Sequence, residues 1–150
     1  VKGYRGGESL SLKPLPKGGN MTDSPDDLDP YDKDLLYSII LIDVIYLIGF
    51  AEHYPSPAQI EIIQHIRDSE PTLQKSTLIN EIIADSLEEK LSNDFTRTAN
   101  RILLNISRIV DDQNAVDRIF YYAQQVAMAG NKITPNVQNL LNRISDALFL

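Results

Sequence analysis

From residue 30 onward, apolar residues recur every three or four positions and no stretch alternates at period two for long, so the pattern predicts helices throughout. Asp29-Pro30 reads as a helix start, because the aspartate side chain accepts a first-turn amide and proline suits that turn. The helix it opens, over 30–51, carries Leu35, Leu36, Ile39, Ile40, Val44, Ile45, Leu47 and Ile48 and is apolar nearly all round, which places it in the middle of a bundle. Ser56-Pro57-Ala58-Gln59 has the form of a capping box and begins a helix to about Asp68, with Ile60, Ile63 and Ile66 inward. Glu70-Pro71 breaks the chain. A new start near Thr72 or Ser76 leads a helix with Leu78, Ile79, Ile82, Ile83, Leu87 and Leu91 expected in the core. Asn93 or Asp94 caps a stripe of Phe95, Ala99, Ile102, Leu103, Ile106 and Val110. Asp111-Asp112 begins the next helix, which ends at Gly130, and Thr134-Pro135 opens the last, with Leu140, Leu141, Ile144 and Leu148. The expected fold is all-α, a compact bundle of six or seven helices with short connections.

One pattern occurs twice, 78 residues apart. Ala51-Glu52-His53-Tyr54-Pro55-Ser56-Pro57 runs into Ile62-Ile63, Ile66 and Asp68; Ala129-Gly130-Asn131-Lys132-Ile133-Thr134-Pro135 runs into Leu140-Leu141, Ile144 and Asp146. In each, a hydrophobic helix stops, the chain bends, and a hydroxyl residue followed by proline starts a new helix. The repetition predicts a domain, over 29–150, assembled from two related halves.

Composition narrows the classes. The 150 residues include no cysteine, which excludes disulfides and thiolate metal sites and fits a reducing, cytoplasmic location. Residues 1–20 hold four bases and one acid, leaving ten bases and twenty acids, a net charge of −10, in the rest. A body this acidic repels phosphate backbones and argues against nucleic acid, while favouring a basic partner or a divalent cation. Leu35 to Ala51 spans 17 residues interrupted by Asp43, short for crossing a bilayer and without a basic flank; it reads as a core helix, and no membrane insertion is expected. Residues 1–28 read as a disordered tail. An opening Val, and codons for Gly18-Gly19 that can spell a ribosome-binding sequence ahead of Met21, raise the expectation that translation begins at Met21; a disordered native tail or a cloning remnant is the alternative.

The two bends resemble those of the tellurite-resistance TerB family, in which a helix ends Ala-Asp-Gly, a short turn carries an aliphatic residue and a Ser, Thr or Asp cap, and a Glu follows three residues later. The similarity covers roughly residues 31–150, and the second copy matches better, through Ala129, Ile133, Thr134 and Pro135. The resemblance implies an all-helical domain acting in a bacterial stress response of the tellurite-resistance kind. The departures fall on the acids: Glu52 and Gly130 stand where the family has aspartate, His53 and Asn131 where it has glycine, and Gln59 and Val137 where it has the later glutamate. A hard cation wants several oxygen ligands, so with Glu52 the one surviving acid, no cofactor is expected beyond a weak divalent cation.

Several other residues are candidates for binding. Asp43 interrupts an apolar helix and needs a partner, for which an arginine of the stripe Arg97, Arg101 and Arg108 is the natural choice. The same arginines could hold a phosphate or a partner's carboxylates, or pair with neighbouring acids. His53 and Glu52 form at most a weak metal pair, and His65 falls off the apolar stripe. Asp23, Asp26, Asp27, Asp29, Asp32 and Asp34 lack the glycine and final glutamate of an EF-hand and read as an acidic lead-in favouring the positive end of the first helix. Tyr121 and Tyr122 point about 100° apart, so one is expected outside. No nucleophile elbow, phosphate loop or dinucleotide fingerprint occurs. The sequence therefore points to a non-enzymatic module that binds a protein, with a reduced cation site as the rival reading.

Overall fold

The computed structural model describes residues 30–130 and 132–150; the expectations for the segment 1–28, for the aspartates up to Asp29 and for Asn131 lie outside them. Seven α-helices follow one another, with no strand among the described residues: α1 (Pro30–Gly49), α2 (Pro57–Ser69), α3 (Pro71–Gln74), α4 (Thr77–Asn93), α5 (Phe95–Ile106), α6 (Gln113–Met128) and α7 (Pro135–Ala147), with a single 3-10 turn, Ser107–Ile109, after α5.

α1 is the centre of the molecule. Its second half is shut from solvent on every side: Ile40, Leu41, Ile42, Val44, Ile45, Leu47 and Ile48 are all at most 1% exposed. The other six helices pack round it, α6 and α4 most extensively. A helix apolar on every side has no stable position except one enclosed by others, as its sequence dictated. Where α1 meets α2 the approach is close: a methyl at Gly49 would lie 2.9 Å from Ile63 Cδ1.

Four of the local start signals, at Ser56, Asp94, Asp112 and Thr134, operate as expected, whereas Ser76 precedes α4 without a side-chain capping bond. Ser56 Oγ accepts from the Gln59 amide while Gln59 Oε1 accepts from the Ser56 amide, a closed capping box at α2. Asp94, Asp112 and Thr134 cap α5, α6 and α7 through their side-chain oxygens. Glu70 ends α2 and also caps α3, accepting from the amides of Thr72 at 2.7 Å and Leu73 at 3.4 Å.

Three packing expectations are corrected. Ile60 is 46% exposed, because the inward line of α2 runs through Ile62, Ile63 and Ile66 instead. Leu78, Ile79 and Ile82 are 69%, 39% and 62% exposed, since α4 buries Asn80, Ala84, Leu87 and Leu91 against the core. The amide of Asn80 explains that choice: its Nδ2 donates to the Leu73 carbonyl at 2.7 Å, locking α3 onto α4 and fixing which face of α4 turns inward. Finally, α5 stops at Ile106, so Arg108 sits in the 3-10 turn rather than on the same helical stripe as Arg97 and Arg101, and Val110 lies beyond it.

Candidate functional site

Asp43 is the polar exception on α1. Its side chain is 4% exposed, and its nearest cation is Arg101 of α5, with Nη1 3.9 Å from Oδ2. The expected arginine partner is therefore the right one, at ion-pair range but too distant for a hydrogen bond. Oδ2 is buried without any hydrogen-bond partner. Burial lifts the carboxyl from 3.8 to about 6, against the opposing pull of the Arg101 and Lys90 charges. A carboxylate in good contact with two cations would move the other way, so desolvation wins here.

Asp43 lines a cavity of about 300 Å³ between α1, α4 and α5, whose walls are Ile39, Ile82, Ile83 and Leu87 and whose charged lining includes Lys90 and Arg101. Ser86, Lys90 and Arg101 are shared with a neighbouring cleft of about 460 Å³ that adds Arg97, Asp94, Glu89, Asn93 and Thr98. Arg97 is held there by Asp94, 3.3 Å away at the start of the same helix. The helical spacing of Arg97 and Arg101 thus brings both to one basin, while Arg108 lines neither cavity.

The two bends meet at the other candidate location. Glu52 Oε2 accepts from the Thr134 hydroxyl at 2.5 Å and Oε1 from Asn136 Nδ2 at 3.5 Å, so the acid of the first bend is bound to the cap of the second. The reciprocal link is Gln59 Nε2 donating to the Val126 carbonyl at 3.3 Å. Glu52, His53 and Tyr54 line a cleft with Phe50, Phe95 and Asn136, in which the Phe50 and Tyr54 rings lie edge to face at 5.5 Å. His53 adopts φ 83°, the left-handed backbone that its place in the turn demands. Both oxygens of Glu52 are engaged by side-chain donors, and no group of three His, Cys, Asp or Glu among the described residues is placed to hold a metal ion.

The remaining candidates are separate. His65 is exposed on α2, Asp34 pairs with Lys75 at 2.9 Å, and Asp112 is used as the α6 cap. Tyr121 is 56% exposed and Tyr122 half-buried, as the helical geometry required.

Sequence reasoning missed the best-connected polar group. Glu70, 1% exposed, accepts from the Tyr37 hydroxyl at 3.1 Å and pairs with Arg118, whose guanidinium also lies 4.7 Å from the centre of the Tyr37 ring. Burial raises the Tyr37 hydroxyl pKa above its ordinary value, with Arg118 opposing. A Glu before Pro reads in sequence as a chain break, and only the fold reveals that the break is pinned to α1 and α6.

The chain matches no protein-family model, no curated protein and no solved structure. No helix among the described residues is long and apolar enough to cross a membrane.

Proposed function

We propose that this chain is a non-enzymatic, TerB-like interaction module that binds a basic protein partner through the outward face of α4. The observation that carries the reading is the ridge of Leu78, Ile79 and Ile82, exposed on a helix whose buried face is already complete. Three large aliphatic side chains left in water on neighbouring turns form a surface that gains by being covered. Exposed Glu81, Asp85, Glu88 and Glu89 surround the ridge, with Lys90 the single base of the helix. That composition matches a partner segment with apolar residues flanked by Lys or Arg, and opposite charge would speed and orient docking. The TerB resemblance supplies the setting, a cytoplasmic stress response related to tellurite resistance.

The test is affinity capture with wild type and with Leu78→Ser/Ile82→Ser, followed by binding measurements on the purified, identified partner. A basic protein bound by wild type, weakened by salt and at least about ten-fold weaker for the double variant, supports the reading. A partner that binds both forms equally, or a ridge that pairs two copies of this chain, overturns it.

A further inference from the structure

The Asp43 cavity has three features that the docking ridge does not require. Its floor holds a buried carboxylate oxygen with no donor, its lining carries two cations, and its walls are four aliphatic side chains. A buried acceptor left unsatisfied is costly, and a cavity that keeps one beside an apolar wall is shaped for a group that donates to it. Arg101 does not satisfy that oxygen: it stands at 3.9 Å with its side chain 49% exposed, within reach of an incoming anion.

We propose that this cavity binds a free α-amino acid with an aliphatic side chain, its ammonium donating to Asp43 Oδ2, its carboxylate held by Arg101 and Lys90, and its side chain packed on Ile39, Ile82, Ile83 and Leu87. Each end of a zwitterion then meets its complement, the ammonium facing Asp43 and the carboxylate shared between the two cations. A simple cation would face Lys90 and Arg101 uncompensated; a simple anion would face Asp43. The volume, about 300 Å³, is at the small end of ligand sites and suits a molecule of this size. The ammonium requires ionised Asp43. Since burial places that carboxyl near 6, with Arg101 from α5 and Lys90 from α4 the charged groups facing it, affinity falls as pH drops below about 6.

The cavity shares Ile82 with the docking ridge but rests on the charges beneath it, and its experiment has a different readout. Amide chemical shifts of the full chain are followed while L-leucine, isocaproate (leucine without its ammonium) and isoamylamine (leucine without its carboxylate) are titrated separately. Saturable shifts round Asp43, Lys90 and Arg101 are expected with leucine, and binding roughly ten-fold or more weaker for either analogue, the loss of one charge-assisted hydrogen bond. Asp43→Asn and Arg101→Gln are each expected to weaken leucine by a similar factor, the latter at an exposed position that does not threaten folding. The proposal is overturned if leucine gives no saturable shift at millimolar concentration, if isocaproate or isoamylamine binds as tightly, or if Asp43→Asn binds leucine like wild type.

Discussion

Two residues hold conformations or charges that cost the fold something, and each gives a measurable consequence. Asp43 has its carboxyl raised to about 6 by burial, so between that value and the unfolded 3.8 the native state binds the extra proton. Stability from this residue is therefore greatest in acid and is lost as pH rises through about 6, the reverse of a salt-bridged aspartate. Asp43→Asn is expected to remove that slope and to raise stability near pH 8 by about 2 kcal/mol, read from urea midpoints at about pH 5 and about pH 8. At His53, φ 83° strains a side chain that glycine would spare. His53→Gly is expected to gain about 1 kcal/mol, and His53→Val to lose at least as much, in the same assay. Both residues were visible in the sequence as misfits, Asp43 in an apolar run and His53 at a turn position the TerB pattern gives to glycine. Their geometry was not visible, because it depends on Arg101, 58 positions along the chain from Asp43, and on the path of the bend.

Helix by helix, the start signals were the most legible part of the chain. Ser56, Asp94, Asp112 and Thr134 act through bonds spanning three residues, so sequence spacing alone contains them. Orientation was less legible. α4 offers apolar residues on both sides, Leu78, Ile79 and Ile82 on one and Ala84, Leu87 and Leu91 on the other, and hydrophobic count alone does not choose between them. The deciding contact is a polar one, Asn80 to the Leu73 carbonyl, which periodicity treats as a reason to turn outward. The two faces should respond differently to truncation. Leu87→Ala is expected to destabilise by about 3 kcal/mol, whereas Ile82→Ser should stay within about 0.5 kcal/mol of wild type in chemical denaturation. A larger loss at Ile82 than at Leu87 would mean that α4 is turned the other way.

At the scale of the whole molecule, long-range polar links join elements that the hydrophobic pattern could only list. Glu70 connects the α2–α3 junction to Tyr37 on α1 and Arg118 on α6, and the two bends are tied by Glu52 to Thr134 and Gln59 to Val126. Removing Arg118 leaves Glu70 buried without its cation, so Arg118→Ala is expected to cost about 3 kcal/mol or more and to lower the thermal midpoint accordingly. A change within about 0.5 kcal/mol would show that the network is dispensable. The enclosure of α1 carries a consequence for how the protein is made. This helix leaves the site of synthesis before any of the six that cover it, and its main neighbours, α4 and α6, lie far downstream. Until those emerge, the largely aliphatic run from Leu35 to Ile48 has only α2 and α3 of its own chain to rest against. Burial of α1 is thus completed only once α6 has been synthesised, and until then its apolar face is the part of the nascent polypeptide most open to aggregation.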